Sequence, residues 1–138
     1  MQGFEVIEHT ADIGIRAFGN TEMEAFENAA LGMFSLLCDI DKVEARKTFT
    51  VEVEADDLET LLVEWLNELL YLQESQGILL KSIKVTELAE TRIAGQGQGE
   101  PVDYKRHILK ADIKAATYYM LRLQQTDGCW KAEVIFDV

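Results

Sequence analysis

Residues 56–77, DDLETLLVEWLNELLYLQESQG, decide the fold class of this sequence. The apolar residues in this stretch recur at steps of three and four, which predicts an amphipathic helix that ends near Gln76, with Gly77 as its stop. They form a broad stripe: Leu58, Leu61, Leu62, Trp65, Leu66, Leu69 and Leu70. Because so broad a stripe needs a large flat surface to cover, it favours packing against a β-sheet.

Capping residues mark where this helix begins. Asp56 and Asp57 both precede the apolar run, and Asp56 with Glu59 has the spacing of a capping box.

A second helix is predicted earlier in the chain by the same kind of signal. Thr21 and Glu24 form a capping box, and the helix behind them ends near Cys38. Its apolar residues again recur at helical spacing: Phe26, Ala29, Ala30, Met33, Phe34 and Leu37.

Most of the remaining sequence has the period-two alternation of β-strands. Two short strands flank the connection His9-Thr10-Ala11-Asp12, and the other strands are predicted at about residues 49–54, 78–92, 104–113, 115–123 and 130–137, with Thr126-Asp127-Gly128 as a hairpin turn. Residues 95–99, GQGQG, are predicted to be a mobile loop because of their glycine content. These elements predict an α+β fold, with two helices packed on one mixed, mostly antiparallel sheet, in a single domain spanning residues 1–138.

Composition narrows the possible partners. The chain has 138 residues, 25 of them acidic and 13 basic, which gives a net charge of −12. This balance argues against broad non-specific binding to nucleic acid and suits cations or a basic protein partner. The sequence has no apolar run of membrane-spanning length and no signal peptide at its start, so we expect a cytoplasmic protein. Cys38 and Cys129 are expected to be reduced, small apolar residues.

Several familiar catalytic patterns are missing from the sequence. His9 and His107 are too few for a histidine-based metal site, and a structural hydrogen-bonding role is favoured for each. No serine lies in a GxSxG motif, and the glycine-rich stretch lacks the Lys-Ser/Thr of a phosphate-binding loop.

Two aspartates are bounded by apolar strand residues. Asp12 is flanked by Ala11 and Ile13-Gly14-Ile15, so it sits inside an apolar strand pattern, whereas Asp137 closes the apolar run Val134-Ile135-Phe136 and Val138 follows it. A carboxylate among buried neighbours is costly unless it is paired or bound to a cation. If these strands are adjacent, Asp12, Asp137 and the Val138 terminus converge and suit an oxygen-preferring ion such as Ca²⁺ or Mg²⁺. Alternatively, Asp12 caps a turn and Asp137 is merely terminal.

Three further charged residues are weaker candidates. Asp39 and Asp41 follow the first helix and could contribute to a metal site, although aspartates at helix ends are common. Lys114 lies in the small and apolar segment IKAATY, residues 113–118. It either pairs with the acidic group, faces a phosphate or carboxylate of a partner, or is an edge-strand lysine that limits aggregation.

The sequence resembles the archease family in four segments that span the chain in order. These are HTADIG at residues 9–14, LLVEWLNELL at 61–70, IKAATY at 113–118 and FDV at 136–138. The resemblance implies an archease-like two-layer sandwich and a cytoplasmic protein cofactor of the RtcB-type RNA-splicing ligase. Such a cofactor is an activator rather than an enzyme, and it promotes GTP-dependent guanylylation and multiple turnover of the ligase in tRNA splicing.

The resemblance also implies which residues act. The family's metal site, usually assigned to calcium, corresponds to Asp12, Asp137 and Val138, and its functionally important lysine corresponds to Lys114. One departure is that many relatives carry histidine after the Thr-Tyr pair, where this sequence has Tyr119.

Two other functions are open at this point. A general chaperone or modulator of protein assembly, also suggested for the family, would need an exposed apolar patch. A metal-dependent hydrolase would use the carboxylates as ligands and base, but no second base or nucleophile accompanies them.

Overall fold

The computed structural model describes residues 3–8 and 12–138, so the connection at residues 9–11 lies outside the described part of the chain. Within these ranges there are two α-helices, one short 3₁₀-helix at Ile40–Lys42 and eight strands. Their bounds are β1 Phe4–Glu8, β2 Ile13–Gly19, α1 Glu22–Leu37, β3 Lys47–Glu54, α2 Leu58–Gln76, β4 Ile78–Ala89, β5 Arg92–Pro101, β6 Ala115–Ala116, β7 Arg122–Thr126 and β8 Cys129–Asp137.

The α+β class is confirmed, but the described strands form two antiparallel sheets rather than one mixed sheet. The larger sheet has the order β1-β2-β8-β6, with β7 also paired to β8, and the smaller has the order β3-β5-β4. All pairings in both sheets are antiparallel. Helix α1 packs against β2 of one sheet and β4 of the other, so one helix joins them. Which strands pair depends on contacts distant in sequence, and alternation alone does not reveal it.

The helix boundaries follow the predicted caps, with one correction. Thr21 caps α1 by accepting a hydrogen bond from the Glu24 N–H over 3.1 Å. Helix α2 is capped by Asp57, whose Oδ1 accepts from the Thr60 N–H over 2.7 Å. The capping-box interpretation of Asp56 is therefore wrong, because Asp57 is the residue placed to reach the third N–H of the helix. Gly77 ends α2 in the left-handed region at φ 66°.

A shared core holds the helices and both sheets together. The Trp65 side chain is fully buried, and its indole N–H donates to the carbonyl oxygen of Phe26 over 3.2 Å, which ties α2 to α1. Apolar residues of both helices and both sheets surround this contact in one continuous cluster. The broad stripe on α2 is thus buried as predicted.

The predicted mobile loop at residues 95–99 is wrong, because this stretch lies within β5, the middle strand of the smaller sheet. A Cβ atom at Gly95 would lie 2.7 Å from Cη2 of Trp65, and one at Gly99 would lie 1.9 Å from the carbonyl oxygen of Leu79. Glycine is therefore required by close approach of neighbouring groups rather than by flexibility.

The predicted strand at residues 104–113 is also wrong, since this segment has no regular strand and only Leu109 forms an isolated bridge, to Cys38. The buried Glu100 carboxylate holds the segment to β5. It accepts hydrogen bonds from the Arg106 guanidinium at 2.9 and 2.5 Å and from His107 Nε2 at 3.0 Å. Arg106 is the main reason that the pKa of Glu100 lies well below its usual range.

The last third of the chain matches the prediction in part. Of the strand predicted at residues 115–123, only β6 and the start of β7 are regular, because a turn interrupts them. The hairpin between β7 and β8 is confirmed: Asp127 and Gly128 both have positive φ, 52° and 76°, as a two-residue hairpin turn requires. Strand β8 is confirmed and lies between β2 on one edge and β7 and β6 on the other.

Candidate metal centre

The register between β2 and β8 brings the two predicted aspartates together. The pairing runs from Gly19 opposite Trp130 to Ile13 opposite Phe136. One residue further, the same register places Asp12 opposite Asp137. Both residues and Val138 border one open depression of about 360 Å³ at this end of the sheet. The strand adjacency that the sequence argument required is therefore present.

Both carboxylates are exposed, which corrects the burial argument made from the sequence. Asp12 lies just before β2 and Asp137 is the last residue of β8, so both stand at the rim of the sheet where water reaches them. Desolvation therefore does not force them to pair. A cation bound between them would be favoured instead by the two like charges placed side by side, whose repulsion a divalent ion relieves.

The residues that line the depression can offer oxygen atoms to a cation. They are the two aspartates with Thr117, Tyr119, Ile135, Phe136 and Val138. Across residues 3–8 and 12–138 no group of three or more His, Cys, Asp and Glu side chains is placed to hold a metal. A cation bound here would thus have two carboxylates, main-chain or hydroxyl oxygen and water as ligands. This donor set fits Ca²⁺ or Mg²⁺ and does not fit Zn²⁺.

Lys114 is joined to this centre through its backbone. Its N–H donates to the carbonyl oxygen of Asp137 over 2.7 Å, one residue before β6 begins. The side chain is exposed, is not part of the lining of the depression, and forms no ion pair with any described residue. Pairing with the acidic group, one of the three possibilities raised by the sequence, is therefore not what the described structure shows.

Asn67 on α2 supports β6 from the side that β8 leaves open. Its Oδ1 accepts from the Ala116 N–H over 2.8 Å, and its Nδ2 donates to the Ala116 carbonyl oxygen over 3.3 Å. The amide thus takes the place of a neighbouring strand. Sequence reasoning missed this role, and no signal marked it, because Asn67 and Glu68 are both polar positions between the stripe residues Leu66 and Leu69.

Thr117 and Tyr119 were also missed as residues of the site. Thr117 donates to the Ile135 carbonyl oxygen from both its N–H, over 3.0 Å, and its hydroxyl, over 2.8 Å. This fixes the chain as it leaves β6, and Thr117 and Tyr119 both border the depression. The sequence marked Tyr119 only as a departure from what the family resemblance implies.

The weaker aspartate candidates lie elsewhere. Asp39 caps the 3₁₀-helix by accepting from the Asp41 N–H over 3.2 Å. Asp39 and Asp41 border a separate groove and not the depression of Asp12 and Asp137.

The described histidine and the cysteines have structural roles. His107 is buried and accepts from the Asp103 N–H at Nδ1 over 2.8 Å, so its proton lies on Nε2, which donates to Glu100. The structural interpretation of His107 is confirmed, whereas His9 lies outside the described residues. Cys38 and Cys129 are both free. Burial raises the pKa of the Cys38 thiol to about 11, which makes it a poor nucleophile.

The fold and the site define a small two-helix α+β domain that has an open depression with two aspartates where β2 begins and β8 ends. The model of the Archease protein family (MTH1598/TM1083) matches residues 4–138. The chain belongs to this family, as the four sequence segments indicated.

Individual relatives agree with this assignment. The chain is 42% identical to protein archease of Thermococcus gammatolerans over 142 residues, covering 100% of both chains. It is 42% identical to protein archease of Methanosarcina mazei over 139 residues, covering 98% of this chain and 95% of that one.

Solved structures show the same fold. The solution structure of Methanobacterium thermoautotrophicum protein 1598 is 38% identical and superposes with a TM-score of 0.85 over 100% of both chains. A crystal structure from Thermotoga maritima, described as an archease and possible chaperone, has a TM-score of 0.64 over 96% of this chain and 94% of that one. At 23% identity the second comparison supports the fold alone.

Neither α-helix of the described chain is long and apolar enough to cross a membrane.

Proposed function

We propose that this protein activates an RtcB-type RNA-splicing ligase, promoting GTP-dependent guanylylation of the ligase and its repeated turnover. The protein would act as a partner of the ligase and not as an enzyme itself, in the cytoplasm. Membership of the archease family supports this function. The observation that carries it is the β2–β8 register, which places Asp12 opposite Asp137 beside Val138.

The acidic depression is proposed to bind a divalent cation, with Ca²⁺ as the first candidate and Mg²⁺ as the second. Asp12, Asp137 and the main-chain oxygen of Val138 would be its ligands from the chain. Ca²⁺ takes about six to eight oxygen ligands, so an open depression leaves room for water to complete the shell. The bound ion would supply positive charge that holds the ends of β2 and β8 together.

The residues around the depression would present this centre to the ligase in a fixed position. Strand β8 is paired on both edges near Asp137, Asn67 fixes β6 itself, and Thr117 fixes the residue that follows it. Lys114, exposed and adjacent to Asp137, is proposed to contact a phosphate of the guanylylated ligase or its nucleotide. Strand pairing fixes the backbone of these residues before docking, so the entropic cost falls mainly on the exposed Lys114 side chain, which a phosphate would immobilise.

Net charge supports a protein partner rather than RNA itself. A chain of charge −12 is attracted to the basic surface that an RNA-binding ligase requires, and this steering is strongest at low salt because screening lengths are about 10 Å at 0.1 M. Strong direct binding of RNA by this chain is not expected.

The test is the rate of ligase guanylylation from labelled GTP, measured with wild type and with Asp12→Ala, Asp137→Ala and Lys114→Ala. We expect each variant to lose most of the stimulation while retaining its fold by circular dichroism. Matched controls are Asp56→Ala and Lys105→Ala, because both residues are exposed and lie outside the depression. Full stimulation by all three folded site variants would overturn the proposal.

A general chaperone or modulator of protein assembly is the second candidate. An open groove of about 790 Å³ between β1 and the segment after α1 favours it, because apolar side chains such as Phe4, Leu31 and Ile40 lie there beside charged ones such as Lys81. Equal suppression of the aggregation of an unrelated protein by wild type and Asp137→Ala, without ligase stimulation by either, would favour this candidate.

A further inference from the structure

Three consecutive apolar or aromatic side chains are exposed on the turn that follows β6. Tyr118, Tyr119 and Met120 have 54%, 61% and 51% of their surface accessible. Val138, which is 51% accessible, borders the acidic depression together with Tyr119. The exposed apolar group therefore continues directly into the candidate metal centre.

The turn that carries these side chains is held from both ends. Thr117 is anchored to Ile135 by the two hydrogen bonds described above, and the Tyr118 hydroxyl donates to Glu64 Oε1 on α2 over 3.2 Å. The Leu121 N–H closes the turn on the Tyr118 carbonyl oxygen over 3.3 Å. The exposed rings thus stand on a defined backbone rather than on a loose loop.

The backbone of Met120 is strained. Its φ is 52°, in the left-handed region, which costs a non-glycine residue about 1–2 kcal/mol. The Met120 side chain is half exposed and so recovers little of this cost through burial within the chain. Backbone strain at an exposed residue is typical of functional sites, where the side chain contacts a binding partner.

The surroundings indicate the chemistry of the partner. Tyrosine and methionine are enriched in the cores of protein–protein interfaces. Asp12, Asp137 and Glu64 lie beside the turn, and their negative charge opposes the phosphates of a nucleic acid that would stack on the rings. A surface complementary to this turn would be an apolar pocket of a protein, bordered by basic side chains or bound metal ions.

We propose that the turn formed by residues 117–121 is the apolar anchor by which this protein docks on its protein partner. The partner assigned here is the RNA ligase, so the inference rests on the proposed function. Met120 and Tyr119 enter a pocket of the ligase, while the adjacent carboxylates face its basic or metal-bearing centre. The anchor supplies affinity, and the depression together with Lys114 supplies the activating chemistry.

The test compares the affinity of the ligase for wild type, Met120→Gly and Tyr119→Ala by isothermal titration calorimetry. Met120→Gly removes the side chain and the strain together, so we expect an equal or higher melting temperature and at least fivefold weaker binding. For Tyr119→Ala we expect at least tenfold weaker binding, whereas Tyr119→Phe retains most of the affinity. Tyr104→Ala is the control, since Tyr104 is 79% accessible and does not border the depression.

Two results would overturn the anchor while leaving the proposed function intact. In the first, the ligase binds wild type, and it binds Met120→Gly and Tyr119→Ala with the same affinity. The other is weakened binding of single-stranded RNA by these variants with unchanged binding of the ligase. If wild type itself does not bind the ligase, the proposed function fails, and the assignment of this partner fails with it.

Discussion

The backbone N–H of Lys114 donates to the carbonyl oxygen of Asp137 over 2.7 Å. This bond joins the exposed lysine to the residue that stands opposite Asp12, although 23 positions separate the two in the sequence (137 − 114 = 23). A basic group and an acidic centre are thus held at one end of the larger sheet by main-chain pairing, independently of the lysine side chain.

The first prediction concerns the charge of Lys114. Because its bond to Asp137 is made by the backbone, Lys114→Met should change the free energy of unfolding by less than about 0.5 kcal/mol, as exposed substitutions usually do. Stimulation of ligase guanylylation should nevertheless fall at least tenfold. Lys114→Arg, which keeps the charge, is the matched control and should retain part of the activity. Equal stimulation by Lys114→Met and wild type would show that the charge has no role.

The second prediction concerns Asn67 as a support for β6. Asn67→Asp keeps the shape and the acceptor for the Ala116 N–H but places a carboxylate against the Ala116 carbonyl oxygen. We expect a loss of about 1–3 kcal/mol in the free energy of unfolding, the cost of a half-buried polar group left without its partner. Hydrogen exchange at Lys114 and Thr117 should also become faster. Glu68→Gln, on the exposed face of α2, is the control. Slower or unchanged hydrogen exchange in Asn67→Asp would contradict the role of Asn67 as a support for β6.

The third prediction concerns acid denaturation and Glu100. The pKa of Glu100 is lowered in the folded state, chiefly by Arg106, so this carboxylate stabilises the fold at pH values above its ordinary pKa. That contribution should be lost progressively as the pH falls below about 4.3, toward the lower folded pKa. Urea unfolding from pH 7 to pH 2 should therefore show a steeper loss of stability for wild type than for Glu100→Gln.

The Glu100→Gln variant itself should be about 1–3 kcal/mol less stable at pH 7, because Arg106 loses its charged partner. Glu68→Gln again serves as the control and should lose stability with falling pH as wild type does. An equally steep loss of unfolding free energy at low pH in wild type and Glu100→Gln would contradict the assigned role of Glu100.

The fourth prediction concerns the glycines of β5. A Cβ at Gly99 would meet the backbone of Leu79, which cannot move without disturbing β4. Gly99→Ala should therefore destabilise the protein by about 1–3 kcal/mol or more, as overpacking does. Gln98→Ala, at the adjacent exposed position, should stay within about 0.5 kcal/mol of wild type. Thermal melts of the two variants decide whether close packing or flexibility explains the glycine-rich stretch.

The helices were predictable because their signals are local. The stripe around Trp65, the cap at Thr21 and the stop at Gly77 all act within a few residues. The role of residues 95–99 was not predictable, since only the approach of Trp65 and Leu79 from elsewhere in the chain explains glycine there. For the same reason the alternation at residues 104–113 suggested a strand, whereas the hydrogen bonds of Glu100 impose an irregular path.

The sequence predicted the two aspartates of the candidate site but not their exposure or the residues that support them. Asp12 and Asp137 mark the ends of apolar strands, and the family resemblance pointed to the same residues. Their exposure was not predicted, because it depends on where β2 and β8 stop relative to the rest of the sheet. Asn67 and Thr117 gave no usable signal, since each acts through a backbone group of a distant segment.

Binding of a divalent cation between Asp12 and Asp137 is tested most directly by thermal melts over a range of Ca²⁺ concentrations, repeated with Mg²⁺. The proteins compared are wild type, Asp137→Asn and the control Asp56→Asn. A cation that binds only the folded chain stabilises it by about 2.7 kcal/mol at one hundred times its Kd. We expect the melting temperature of wild type and Asp56→Asn to rise by several degrees, and that of Asp137→Asn to rise little or not at all. A wild-type melting temperature that does not respond to either cation, or an equal rise in Asp137→Asn, would contradict this expectation.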